Sequence, residues 1–344
     1  MRPALKAGLL PVWRDRDTLQ IGVDPRRAVA LERIGPAAAV ISLLDGSRDR
    51  ETVIAMARAS GVPAEAASRV LSLLAVAGVL DDYPAQLHRS LPDELRARLA
   101  PELAAASLAH RDGDGGARTL ARRRDSYLRV HGAGRIGAGV ATLLAASGVG
   151  RVVCIDPAPG QPSDVAPGGL GLADIGSPRD QAVVRALRRI APEVKTRDIG
   201  TSPDLVILTQ VPSPELPLAL VHEGVPHLAA RSAEAIGVVG PLVTPGRSAC
   251  LRCVDLHKAA GDPAWPKILA QATCAGPVTE ACDSVLGAMT ATLAAAQALA
   301  FIDGAVAPVT ANGTLEVVLP DWQWRRRTWN PHRDCACGAR HAGN

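Results

Sequence analysis

The stretch "LRVHGAGRIGAGVATLLAASGVGRVVCIDPAPG", Leu128 to Gly160, constrains the fold more than any other part of the chain. A strand-like segment, "YLRVH", enters Gly132, a helix-forming segment follows, and "RVVCID" resumes extended character up to Asp156. Gly132, Gly134 and Gly137 form G-x-G-x-x-G between a strand and a helix. The first glycine permits a tight turn, the second lets backbone approach a phosphate, and the third lets the helix pack on the sheet. Free N–H groups at the helix start, with the positive end of its dipole, suit an anion. Asp156 lies 19 residues beyond Gly137, where a carboxylate can accept ribose hydroxyls. A bare glycine pattern is a weak signal, but one set in a β-α-β unit with this acid is more specific. A nucleotide site is therefore expected at Gly132, Gly134, Gly137 and Asp156. The competing reading is a fold that has kept the loop and lost the ligand.

The pattern continues as alternating strands and helices. "RDQAVVRALRRIAPEV" reads as an amphipathic helix stopped by Pro192, "DLVILT" (Asp204–Thr209) as a buried strand and "PELPLALVHEG" as a helix. "PHLAARSAEAIGVVGPLVTPG" reads as paired strands, "SVLGAMTATLAAAQALAFIDG" as a long small-residue helix and "GTLEVVLPDWQWRRRTWN" as closing strands. Residues 126–344 thus read as a Rossmann-like, doubly wound α/β domain with a late mixed β portion.

Residues 1–85 read as a small module, patterned from residue 10 onward. "TLQIGVD" (Thr18–Asp24) alternates like a strand, and "AVALERI" (Ala28–Ile34) is extended. "PAAAVISLLDG" opens with Pro36 and ends at Gly46, as a short helix should. Asp49 caps a helix over "RETVIAMARASG", and Pro63 opens a third. This β-β-α-α-α order suits a winged-helix-like α+β domain. Residues 86–125 read as a linker, helical over "PDELRARLAPELAAASLAHRD". "GDGGARTLARRRD" is expected to be loose, with Arg122, Arg123 and Arg124 in water.

The net charge of +4 argues neither for nor against nucleic acid. The helices of the first module carry few basic residues beyond Arg48, Arg50, Arg58 and Arg69, so no nucleic-acid partner is expected. No charged segment followed by an apolar run opens the chain, which argues against a signal peptide. "LLAASGVGRVVCI" is broken by Gly and Arg, so no membrane span of about 18 residues is expected, and the reading is cytoplasmic.

Seven cysteines in 344 residues do not make a disulfide scaffold. Their spacing says more. Cys250-x-x-Cys253 and Cys335-x-Cys337 are two close pairs, as a structural Zn²⁺ site of four thiolates requires. The metal would tie the chain end to the middle of the domain. Redox or idle thiols are the alternative, and His257 or His332 could replace one sulfur. Cys154, Cys274 and Cys282 lack paired spacing, and Cys154 reads as core.

A glycine loop followed by a late CxxC and a terminal cysteine pair resembles the ThiF/MoeB family, the ubiquitin-activating-type adenylyltransferases. The likeness covers roughly residues 125–340 and includes the small-residue helix from Gly276 to Gly304. It implies ATP-dependent activation of a protein C-terminal carboxylate. That chemistry needs an acid for the ribose, an Arg and Asn after the second strand, a Lys before the next helix and an Asp for Mg²⁺. Asp156 matches the first requirement. Where the family has a segment like "SNLxRQ", this chain has "PSDVAPGGLG" (Pro162–Gly171). Arg179 stands at the lysine position, the weak catalytic candidate, and "QVPSPE" with Gln210 stands where the Mg²⁺ acid is expected. Gln210 is a poor ligand for a hard cation.

The first module resembles the PqqD-like recognition element of peptide-modifying systems, which takes a leader peptide on a strand edge. These resemblances imply a zinc-stabilised scaffold that binds a RiPP-type leader for a YcaO-type cyclodehydratase, with a degenerate ATP site. They also imply a homodimer. The alternative is a working adenylyltransferase, which binds ATP and turns it over. An NAD(P)-dependent oxidoreductase would keep the loop but leave the cysteine quartet unexplained.

Overall fold

The computed structural model describes residues 1–82, 91–210, 213–274 and 280–339. The chain divides into two compact units, Met1–Ala121 and Arg122–Asn344.

The first unit opens with β1 (Pro3–Leu5), β2 (Pro11–Trp13), β3 (Leu19–Ile21) and β4 (Val29–Leu31). A 3-10 helix spans Gly35–Leu43, followed by α1 (Arg50–Ala59), α2 (Ala64–Val76) and β5 (Leu80–Asp82). The strands β2, β3 and β4 form an antiparallel sheet, and β1 pairs with β5. Asp49 caps α1 as its position suggests, accepting the Thr52 N–H at 2.8 Å. Val53 and Ala57 of α1 and Leu71 and Leu74 of α2 close over Ile21 and Val40, all fully buried. The segment after Pro36 is 3-10 where a short helix was expected. Ala37, Val40 and Leu43 recur every three residues on the core side, the period a 3-10 helix aligns.

The β-β-α-α-α reading misses β1, β2 and β5. Each is three residues long, and β1 and β2 begin with proline. The expected boundary at 85 lies outside the described residues. Within the expected linker, α3 (Asp93–His110) is helical, as read. It belongs to the first compact unit, and Lys6 holds it there. The Lys6 ammonium donates to the Asp81 carboxylate and to the Ser107 hydroxyl and carbonyl, each at 2.8 Å, with the ion pair almost wholly buried.

The stretch expected to be loose instead forms α4 (Ala117–Asp125). Arg123 is not solvated either. It is 8% exposed and makes a two-pronged ion pair with Asp303 at 2.9 and 2.7 Å. That partner is distant in sequence, so a local reading of charge could not find it.

The second unit is built on a seven-stranded sheet. Its elements are β6 (Tyr127–His131), α5 (Arg135–Ala146), β7 (Arg151–Ile155), α6 (Arg179–Ile190), β8 (Leu205–Leu208) and α7 (Glu215–His222). Next come β9 (His227–Ala233), β10 (Ile236–Val243), α8 (Leu251–Gly261), α9 (Trp265–Cys274), α10 (Ser284–Asp303), β11 (Gly313–Val318) and β12 (Gln323–Thr328). The strand order is β12-β11-β10-β9-β8-β6-β7. The strands β7, β6, β8 and β9 run parallel, and β9 to β12 are antiparallel neighbours. This is the expected doubly wound α/β sheet with its late mixed portion. From β6 the chain crosses to β7 on one side and returns to β8 on the other. The loops after β6 and β8 therefore meet at the switch point, the crevice where such sheets bind ligands.

The helix α10 is one that the expectation about membrane spans overlooked. Its 20 residues are long and apolar enough to cross a bilayer by length and composition. Here it packs as a core helix on α5, β9 and β10. Leu286, Ala291, Ala294 and Ala298 are buried, and it ends in the Asp303 carboxylate that holds Arg123.

Candidate functional site

The glycine loop is built by backbone constraints before any ligand is considered. Gly132 has φ of +95°, and a Cβ there would lie 2.7 Å from the Thr209 hydroxyl and 3.2 Å from Gln210 Cγ. A Cβ on Gly137 would overlap the Gly132 carbonyl and the Thr209 hydroxyl. Both glycines are thus required by the close approach of β6, α5 and the end of β8. Thr209 donates to the Gly132 carbonyl at 2.9 Å, so β8 braces the loop directly. Gly134 is the N-cap of α5 and has no side chain to cap it.

Asp156 follows β7 and is 4% exposed. Its carboxylate accepts the Ala133 N–H at 2.9 Å and the Ala158 N–H at 3.2 Å. It therefore stands at the loop, as the sequence indicates, and the loop's own backbone uses it. Arg179 opens α6 and points back to the same place. Its guanidinium lies 3.5 Å from Asp156 and donates from Nε to Asp164 at 2.7 Å. Burial works against its charge, but the hydrogen bond and charge of Asp164, then those of Asp156, hold the guanidinium pKa above its ordinary value.

Sequence reasoning missed Asp164. It lies in "PSDVAPGGLG", which attracted notice for what it lacks. Its available signal is the spacing Gln161-Pro-Ser-Asp164, a turn with an acid three residues after its first residue. Asp164 is 7% exposed, closes a 3-10 turn over Pro162–Asp164 and accepts the Gln161 N–H at 2.7 Å. Arg135, the first residue of α5, clips this turn from the other side. It donates to the Ser163 carbonyl at 3.0 and 2.7 Å and to the Ser284 hydroxyl at 3.1 Å. A second 3-10 turn, Leu172–Asp174, is held by Arg185 on Asp174 at 2.8 Å. Gln210, at the position where an acid would hold Mg²⁺, is exposed beside Gly132. Val211 and Pro212, which follow it, lie outside the described residues.

The four paired cysteines meet. Cys250 Sγ is 3.7 Å from Cys253 Sγ and 3.6 Å from Cys335 Sγ, and Cys253 Sγ is 3.6 Å from Cys337 Sγ. All four sulfurs lie within 4.8 Å of one another. A tetrahedral site with metal–sulfur bonds of about 2.3 Å has S···S edges of about 3.8 Å, so the donor set fits one metal ion. Cys250 occupies the N-cap position of α8, without a side-chain capping bond, and Cys253 lies on its first turn. Burial pushes the Cys250 thiol above its ordinary range and Cys335 up to about 11. Binding of a metal here would have to displace the protons of Cys250 and Cys335.

His257 and His332 are not in the quartet. They stack edge to face at 4.8 Å beside it, and the His332 N–H donates to Cys253 Sγ at 3.3 Å. The Cys154 thiol is held up to about 12 by burial first, then by Asp180 and Asp156, as fits a core thiol. Cys282 is buried and its thiol is also raised by burial. The side chain of Cys274 lies outside the described residues.

Residues 108–204 match the ThiF family. The matched stretch holds the glycine loop, Asp156, Asp164 and Arg179. No curated protein matches the chain. Among solved structures, E. coli MccB with AMPCPP and MccA is similar at a TM-score of 0.72 and 16% identity, covering 98% of this chain and 100% of that one. The Microcin C7 biosynthetic enzyme MccB in complex with N-formylated MccA is similar at 0.69 and 15%, covering 98% and 100%. PaaA is similar at 0.62 and 17%, covering 75% and 90%. These likenesses show a shared fold, with the ThiF-type α/β architecture at its centre.

Proposed function

We propose that this chain is a ThiF-type scaffold that binds a peptide through its first unit and presents it to a partner enzyme, without adenylating it. The observation that carries the reading is how the loop's charges are spent. Adenylyl transfer needs positive charge and a metal poised against the departing pyrophosphate. Both arginines described at the loop are committed to the chain itself, Arg135 to Ser163 and Ser284, and Arg179 to Asp164 and Asp156. Gln210 offers no charge to Mg²⁺. Gly132, Gly134, Gly137 and Asp156 supply contacts for a ribose and one phosphate, which favours binding far more than turnover. ATP or AMP binding at high micromolar strength is the most this site is expected to retain.

Peptide binding is supported by the β2-β3-β4 sheet, whose two outer strands are β2 and β4. Main-chain groups on such an edge can pair with an added strand. Trp13 and Leu10 are more than half exposed at the β2 side. MccB, of the same fold, is solved with MccA. The expected occupant is a leader peptide of the RiPP type, and the expected partner a YcaO-type cyclodehydratase. A homodimer follows by analogy with the family. The four thiols fit structural Zn²⁺ and a reducing, cytoplasmic setting. Fluorescence anisotropy of a labelled precursor peptide encoded beside the gene is the test. Full-length protein is expected to bind it, and protein lacking Met1–Ala121 is not. Binding that survives the deletion would move the peptide site to the second unit.

One observation favours the runner-up, a working adenylyltransferase. Asp156 and Arg179 both stand at the loop mouth, where a ribose acid and a phosphate-binding cation belong. ATP–pyrophosphate exchange separates the two readings.

A further inference from the structure

We infer that the turn Pro162–Asp164 is an internal plug on the glycine loop, its Asp164 carboxylate standing in for the phosphate that such a loop would otherwise take. A Cβ built on Gly134 meets Asp164 Oδ1 at 3.2 Å, as its nearest neighbour. Gly134 is the glycine whose bare backbone lets a phosphate approach. On the side of Gly134 that a Cβ would take, the nearest atom is thus an oxygen of this chain. That oxygen is anionic, and it sits at the start of α5, where the helix dipole favours negative charge. Gly134 itself provides no cap.

The plug is held on both sides. Arg135 grips the Ser163 carbonyl with two N–H groups, and Arg179 grips Asp164 Oδ2 at 2.7 Å. The Gln161 N–H donates to the same Oδ2. Pro162 fixes the backbone entering the turn. An incoming phosphate would meet a like charge, and it would have to take Arg179 from a partner already in contact. The inference rests on the degenerate-site reading above and gives it a cause that can be reversed. Asp164→Asn removes the like charge, Asp164→Ala also empties the place, and both free the Arg179 Nε from its carboxylate partner while leaving its contact with Asp156.

The test is calorimetric titration of the full-length chain with Mg²⁺·ATP and with inorganic triphosphate. Wild type, Asp164→Asn, Asp164→Ala and Arg135→Ala are compared, each checked for a cooperative thermal melt. The expected result is at least tenfold tighter binding of both probes in Asp164→Asn and Asp164→Ala, with a smaller gain in Arg135→Ala, which loosens the turn. The amide of Asp164→Asn keeps the shape of the turn, so it serves if the alanine variant melts early. Folded variants that bind no tighter than wild type overturn the plug and leave the degenerate-site reading standing. Tight ATP binding with pyrophosphate exchange in wild type overturns both.

Discussion

Gly137 shows what a single residue decides in this fold. Any side chain there collides with the Gly132 carbonyl, which cannot move without displacing β6. Gly137→Ala should cost about 2 kcal/mol or more in a urea melt, while Gly134→Ala, whose neighbour is a side-chain oxygen, should cost less. Cys335→Ser should lower bound zinc well below one per chain by metal analysis and reduce the melting temperature; wild-type protein purified without zinc would contradict the site. Burial lowers the pKa of His131 and of His227, whose Nε2 has no hydrogen-bond partner among the described residues. Their folded pKa lies below the unfolded value near 6.5, so the stability tied to neutral imidazole is complete above that pH. It is lost as pH falls towards the folded pKa. The urea midpoint should therefore drop between pH 7.5 and 5.5, and His227→Leu should shrink the drop. Sequence alone makes the glycines, Asp156, Arg179 and the four cysteines legible, because each follows a spacing with a physical meaning. Asp164 was hidden because its role comes from where a turn folds, and no spacing to Gly134 announces that.

At the scale of elements, local signals and distant partners separate cleanly. The Asp49 cap is local, and Asp49→Ala should cost about 1 kcal/mol by denaturant melt. The helix α4 depends on a partner 180 residues away, so composition reads it as loose basic chain. Breaking that buried pair alone, as in Asp303→Asn, should cost about 3–5 kcal/mol, since it strands the Arg123 charge. An Arg123→Met, Asp303→Leu double variant should recover much of this loss. If Asp303→Asn melts like wild type, the pair is not what fixes α4. The helix α6 of the second unit was legible because its apolar residues recur on one face, with Ala182, Val183, Ala186 and Leu187 buried. The short strands β1 and β5 were not, because their pairing joins residues 3–5 to residues 80–82 and leaves no local pattern. The helix α10 carries no amphipathic stripe to report that it is a core helix, and only its packing against α5, β9 and β10 does so.

At the scale of the whole molecule, the ThiF-type α/β fold carries a glycine loop whose crevice is proposed to be closed by the chain's own Asp164 turn. Close packing of β6, α5 and the end of β8 demands glycine at 132 and 137 whether or not a nucleotide binds. The four-thiol cluster joins the start of α8 to the chain end, and the first unit offers the strand edges on which peptide binding is proposed. Whether the crevice adenylates is tested most directly by ATP–pyrophosphate exchange, with the full-length protein and the precursor peptide proposed as its ligand. Exchange no greater than in a mock reaction is expected, in wild type and in Asp156→Ala alike. Strong exchange in wild type that disappears in Asp156→Ala would contradict it and identify the chain as a working adenylyltransferase.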